Sequence, residues 1–371
     1  MYNFLLLYLF LIIPGINIKF NKPIIYFLGI LFLLFISTLR DPLAATDAHH
    51  YFDAINRDKG NYLTSISPTF KILITIFRDL LGFDSLLTLQ MISLVPFICF
   101  FISSIILNYP TIILIYLSSE TFPLLSYNAI RQGLSLGFLM LSISLLINTI
   151  LKNQKVTNFK NLLTGIIPLI ISFTSHISSI AISLLFLSNL IINKLKDTFL
   201  KYKIKKNIFF LIISIIIFIL GIIMIRPGIF LFLIRRGVNE FSLSYLIPKG
   251  FGYNQNHFSS IYRFFIMFAA YFYAKSKLNK VTENNLSNKK FINNLLNILN
   301  LSYLPLIIVC LLQSPIVLSR VSHFSIISLS FSLFFADYID KKKRFISCSV
   351  ISIMGFIAYS SGSVINNLIT R

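Results

Sequence analysis

The sequence predicts an all-α polytopic membrane protein, and three observations carry that prediction. Of its 371 residues, 56% are hydrophobic and only 12% are charged, with a mean hydropathy of +0.82. No soluble core needs that much apolar surface. The apolar residues come in continuous runs rather than in alternation, which excludes a β-barrel. The basic residues are sorted by type between the loops that join those runs, Lys on one side and Arg on the other.

A spanning helix needs about 20 apolar residues, somewhat fewer at the short end. The clear runs are 3–16, 24–39, 86–107, 111–127, 132–150, 207–225, 260–274, 294–313, 320–337 and 345–362. The first, from Met1 to Pro14, has no basic leading region and no small-residue cleavage site, so it reads as a retained helix. The segment SPTFKILITIFRDLLGF (67–83) mixes Lys71, Arg78 and Asp79 with apolar residues. As a spanning helix it would invert every later loop. As an amphipathic interfacial helix on the outer face it keeps every Lys loop inside. Residues 161–192 are apolar between two basic loops, which predicts a hairpin of two short helices meeting near Ser175-His176, with Pro168 breaking the first arm. The sum is about twelve transmembrane helices, including this short-helix hairpin, with both termini outside. Residues 1–371 then form a single integral membrane domain, and the outer loops 40–85 and 226–259 form its active-site face.

Charge sorts along this topology. Of the 33 basic residues, the inner loops hold 19 Lys and one Arg (Arg344), and the outer segments hold 10 Arg and 3 Lys. Lys inside is the ordinary positive-inside signature. Arg outside is not explained by that rule, and Arg is the residue that grips phosphate or carboxylate with two parallel hydrogen bonds. The formal net charge of +21 therefore points to orientation and to anionic membrane lipid rather than to nucleic acid. Cys99, Cys310 and Cys348 all fall inside apolar segments and read as buried thiols.

The outer face gathers the unusual chemistry. In LRDPLAATDAHHYFDAI (39–55), Asp47 and Tyr51 stand at i, i+4 on one face of a short helix, and the carboxylate there is a candidate base for an attacking hydroxyl. The bland reading is a solvated loop with Asp47 as a cap. Asp47, His49, His50 and Asp53 do not make a convincing metal set, because adjacent histidines point apart on a helix; no metal or cofactor is expected. In SYNAIRQGLSLGFLMLSISLL (126–146), Arg131 and Gln132 open a helix whose Gly133 and Gly137 permit close helix contact; the bland reading of Arg131 is a side chain that snorkels to the interface, and its place before a tightly packing helix face gives the other, a side chain that points into the bundle. His176 tips the hairpin among serines, as a base, a hydroxyl binder or a satisfied turn residue. Glu120 is the acid deepest in an apolar span, as a partner for an arginine or as a catalytic group. Loop 226–259 adds Arg235 and Arg236, Arg263 opens the next helix, and Arg320 stands at i, i+3 with His323 at the outer end of another.

These motifs, in this order, resemble the EpsG/Wzy-type exopolysaccharide polymerases: Arg40, Asp47 and Tyr51, then A-I-R-Q-G-L (129–134), H-I-S-S-I (176–180) and S-R-V-S-H-F (319–324). The resemblance spans about 40 to 330. Family members usually show G-T-D-Y where this chain has A-T-D-A (45–48), which keeps Asp47. The resemblance implies a GT-C-like bundle in a bacterial cell membrane. There it would join oligosaccharide repeat units carried on undecaprenyl diphosphate into capsule, exopolysaccharide or O-antigen, at the outer face. It implies Arg131 and Arg320 on the diphosphate with Arg40 and Arg263 assisting, Asp47 or His176 as base, and a flippase and a chain-length regulator as partners. Three rivals share parts of this pattern. A lipid-linked glycan ligase would want a larger outer acceptor loop than 226–259. A flippase or transporter would show two similar halves and a central line of charge. A membrane acyltransferase would want a deep His with an acid partner. No internal repeat is visible, and the charges gather at one face.

Overall fold

The computed structural model describes residues 43, 47–56, 67–119, 121–123, 125, 129–153, 159–176, 179, 182–183, 257–281, 289–304, 321–340, 347, 350–351 and 354. Every regular element among them is helical, and no strand occurs among the described residues. The predicted spans 3–16, 24–39 and 207–225 and residues 226–256 of the predicted outer loop lie outside them, whereas 257–259, also assigned to that loop, are helical. The chain divides into two units, Met1–Ile180 with Leu333–Arg371, and Ala181–Ser332.

The first unit opens with α1 (Ala48–Asn56). Ala48, Tyr51 and Ile55 recur at helical spacing and are buried, while His49, His50 and Asp53 are exposed. The buried face packs into one apolar cluster with Phe70, Ile74, Leu89, Ile92, Ile130 and Leu134. The segment 47–56 is thus a packed helix rather than a solvated loop. Next comes α2 (Pro68–Ile74), with Pro at the position where a missing N–H costs nothing, and it continues as a π-helical segment, Thr75–Leu80. Gly82 ends it at φ 71°, a left-handed conformation that only glycine adopts without strain.

Among the described residues, two helices are long and apolar enough to cross a membrane: α3 (Ser85–Ile106) and the Ile130–Thr149 stretch of a later helix. Asp84 caps α3 by accepting from the Leu87 amide at 2.7 Å. α4 (Thr111–Leu117) is the start of the predicted span 111–127, and it stops early. The Ser118 and Ser119 hydroxyls bond back to the carbonyls of Ile115 and Tyr116, at 3.3 and 2.8 Å, and Thr121–Pro123 is a separate short turn of helix. Hydroxyls that compete for helix carbonyls end the helix where hydropathy alone sees no boundary.

α5 (Ile130–Asn153) packs on α3 and on α6 (Phe159–Ser175). A Cβ at Gly137 would lie 2.9 Å from Pro96 Cα and 3.1 Å from Cys99 Cβ, so this glycine sets the α3–α5 approach. Ser142 Oγ donates to Gly165 O at 2.6 Å, and Ser172 Oγ to Ser135 O at 2.7 Å, tying α5 to α6 at two levels. α6 ends at Ser175, as the hairpin reading expects. Pro168 does not break it: the helix runs through that residue, as membrane helices do where packed neighbours satisfy the freed backbone group.

The second unit holds α7 (His257–Lys280), α8 (Lys289–Leu301) and the first part of α9 (Ser325–Ile339), whose remainder belongs to the first unit. α7 runs past the predicted span 260–274 to include Lys275, Lys277 and Lys280. Tyr271 Oη and Lys275 Nζ both donate to Asn297 Oδ1, at 2.8 and 2.7 Å, which joins α7 to α8. Asn300 Nδ2 donates to Ser332 Oγ at 3.1 Å, which joins α8 to α9. Within the first unit, Asp337 on α9 accepts from Tyr109 Oη at 2.6 Å and from Ser347 Oγ at 2.9 Å, a buried polar clasp.

Candidate functional site

The first unit brings Asp47, Tyr51 and Arg131 together. Tyr51 sits in the middle of α1, 5% exposed, with its ring 5.3 Å from that of Phe70 on α2. The guanidinium and the backbone N–H of Arg131 both face its hydroxyl and favour negative charge on it. That N–H is one of the orphan donors in the first turn of α5. Burial pushes the Tyr51 hydroxyl above its ordinary 10.0, Arg131 pulls it back, and the nearby Asp47 carboxylate adds to the rise. Tyr51 is therefore a neutral phenol at any ordinary pH.

Arg131 lies half-buried at the N-terminus of α5, where the helix dipole is positive. Its Nε is buried and has no hydrogen-bond partner among the described residues. Among those residues no carboxylate forms an ion pair with it either. A buried guanidinium N–H left open beside a helix N-terminus is the geometry that receives an anion. Gln132, next in the chain, is 2% exposed.

Gly133 has a role beyond the helix contact predicted for it. A Cβ there would come within 2.9 Å of the Leu125 carbonyl carbon, and closer still to its oxygen. Leu125 lies against the first turn of α5, and only glycine leaves room for it. Helix-to-helix contact belongs to Gly137 instead. The sequence signal for Gly133 is present in A-I-R-Q-G-L, but its neighbour is not readable there.

His176 follows the last residue of α6, at the Arg131 end of the α5–α6 pair, since Ser172 in the preceding turn bonds Ser135, one turn along from Arg131. Ser67 and Thr69 at the start of α2 hold that end: Ser67 Oγ donates to Ser175 O at 2.9 Å, and Thr69 Oγ1 meets Thr174 Oγ1 at 2.7 Å. Arg78, in the π-helical segment, is a further residue whose part the sequence does not reveal. Its Nη1 donates to the Ile55 carbonyl in the last turn of α1, and its Nε pairs with Asp79 at 2.7 Å.

Arg263 belongs to the second unit. It is 8% exposed, and its Nη1 donates to Ser322 Oγ at 2.6 Å, with His323 also buried in that unit. Arg40, Glu120, Arg235, Arg236 and Arg320 lie outside the described residues. Among the described residues no group of three or more His, Cys, Asp or Glu is gathered as a metal site.

The family model of the EpsG family matches residues 23–369. No curated protein and no solved structure matches the chain.

Proposed function

The chain belongs to the EpsG family, and on that premise we propose that it is a polysaccharide polymerase of a bacterial cell membrane. Its substrates are oligosaccharide repeat units on undecaprenyl diphosphate, joined at the outer face. The observation that carries this reading is the Arg131–Tyr51 pair, which anchors a guanidinium on a neutral phenol and leaves its Nε open. The bundle is read as GT-C-like, with about twelve spans in a single domain over 1–371, its outer loops 40–85 and 226–259 forming the active-site face.

In the reaction, a hydroxyl of the acceptor repeat unit attacks the anomeric carbon of the lipid-linked donor. The bond from that carbon to the diphosphate oxygen breaks, and undecaprenyl diphosphate leaves. Asp47 is the base that takes the hydroxyl proton, with His176 the alternative at the same end of the bundle. Arg131 receives the charge that grows on the leaving diphosphate, and α5's N-terminus adds its dipole. Arg40, Arg263 and Arg320 are proposed as further diphosphate ligands, with Gln132, Glu120, Arg235 and Arg236 as supporting candidates. Energy comes from the leaving group itself, so no cofactor is invoked. A flippase that supplies the donor and a chain-length regulator are the proposed partners.

The test is complementation of a deletion strain, read on a gel that resolves surface glycan. Normally inserted Arg131→Ala should leave single repeat units where wild type restores a ladder, a loss of about 10²- to 10³-fold in rate by analogy with removal of an oxyanion donor. A full ladder from Arg131→Ala overturns the assignment. Repeat units trapped on the inner face of the deletion strain would replace the polymerase with a flippase.

A further inference from the structure

The α2 helix and its π-helical continuation carry three distinct stripes. Successive residues advance about 100° around a helix, so positions four apart line up. Phe70 and Ile74 form one line and are buried against α1 and α3. Lys71, Thr75 and Asp79 form a second line, exposed and polar. Ile72, Ile76 and Leu80 form a third, and they are exposed by 58%, 38% and 74%, with Leu81 at 55% beyond them. A helix at a wholly aqueous surface needs two faces. One apolar face on the protein, one polar face and a second, open apolar face require a third medium.

That open face continues onto a spanning helix. Leu86 and Leu87, at the start of α3, are exposed, and Leu87 shares one stripe of α3 with the exposed Ile98, Ile102 and Ile105. On a helix long and apolar enough to cross the membrane, such a stripe faces acyl chains. We propose that the Ile72–Ile76–Leu80 face seats in the headgroup–acyl boundary of the bilayer, and that α2 braces the site helix α1 from that position. The identity of the leaflet, the outer one, rests on the topology proposed above; the seating does not.

The brace is visible bond by bond. Arg78 donates to the Ile55 carbonyl, an orphan acceptor at the C-terminal end of α1, where a cation also suits the helix dipole. From the neighbouring helix α3, Ser85 Oγ donates to the Asn56 side chain, a second hold on the same end of α1. Phe70 holds the Tyr51 ring, and Ser67 and Thr69 hold the end of α6. The lipid-facing helix thus touches each element that presents Asp47, Tyr51 or His176.

The test is membrane depth, which needs no polymerase activity and so stands apart from the functional reading. In the full chain without Cys99, Cys310 and Cys348, single cysteines replace Ile72, Ile76, Leu80, Lys71 or Thr75, each carrying a spin label. The protein is reconstituted in vesicles of phosphatidylethanolamine and phosphatidylglycerol. Labels at 72, 76 and 80 should collide several-fold more with oxygen than with a water-soluble nickel chelate, and labels at 71 and 75 should show the reverse. Equal nickel access at all five positions overturns the seating. Immobile labels at 72, 76 and 80, shielded from both reagents, overturn it too, because protein would then cover the face. For the brace, a label on His49→Cys should become more mobile with Arg78→Ala and recover in part with Arg78→Lys, which keeps a donor and a charge. No change in mobility overturns the brace.

Discussion

Replacing Tyr51 with Phe isolates one oxygen atom in the candidate site. The ring stays, and with it the 5.3 Å packing on Phe70 and the burial of that face of α1. What goes is an acceptor that the guanidinium and the backbone N–H of Arg131 both face. A hydrogen bond to a charged group contributes about 1.5–3 kcal/mol, and a buried donor left open costs on the same order. If that energy holds Arg131 where the leaving group needs it, each 1.36 kcal/mol removed from transition-state binding costs about tenfold in rate. The expected loss is then about 10- to 150-fold. The assay is extension of purified lipid-linked repeat units in native membranes, with thermal unfolding in detergent measured on the same variant. The double variant Tyr51→Phe with Arg131→Ala should be no slower than Arg131→Ala alone, since both remove one device. A Tyr51→Phe enzyme that extends at the wild-type rate refutes the reasoning. So does a double variant in which the two losses multiply.

Two further outcomes follow from the same geometry. Gly133→Ala drives a methyl into the Leu125 carbonyl and should destabilise the chain by about 1–3 kcal/mol while abolishing polymer, and Gly137→Ala should weaken the α3–α5 contact with less effect on rate at matched insertion. Detergent melts and in-membrane extension separate the two. The Tyr51 hydroxyl has its pKa raised in the folded state, so its contribution to stability is fully present below the unfolded value near 10.0 and is lost as pH rises beyond it. A melt series from pH 8 to pH 11 should show a Tyr51-dependent loss only above about pH 10, and Tyr51→Phe should lack it.

Much of the fold is legible in the sequence because hydrophobic runs and their interruptions are local. The run 86–107 becomes Ser85–Ile106, the run 132–150 becomes Ile130–Asn153, and the first arm of the expected hairpin ends at Ser175. The i, i+4 spacing of Asp47 and Tyr51 likewise survives folding as one end and one face of α1. Three things were not legible. The stop after Leu117 depends on two serine hydroxyls winning a local competition for carbonyls, which apolar content does not register. Pro168 is a breaker by rule, yet it lies within a helix that is tied to α5 on either side, through Gly165 and Ser172. Arg78 reads as the solvated charge of an amphipathic helix, and its reach to the Ile55 carbonyl crosses a sequence gap that no periodicity spans.

On the proposed reaction, the partner of Arg131 matters to how that arginine would meet a diphosphate. A carboxylate in direct contact would hold the guanidinium firmly and also cancel its charge, leaving a neutral pair with little attraction for an anion. A neutral phenol holds it by hydrogen bonds and leaves the charge whole. Burial keeps Tyr51 neutral, and the N-terminus of α5 adds positive potential rather than negative. The cost is a half-buried cation without a compensating carboxylate among the described residues, a state that is expensive until an anion arrives. On the proposed reaction, that desolvation favours occupancy by an anion over the empty site, and it favours the released diphosphate, whose terminal phosphate gains a negative charge on cleavage, over the esterified donor. The same cluster keeps a carboxylate, Asp47, close enough to be felt by Tyr51 yet outside ion-pair contact with Arg131, so the proposed base and the proposed charge acceptor are separate groups.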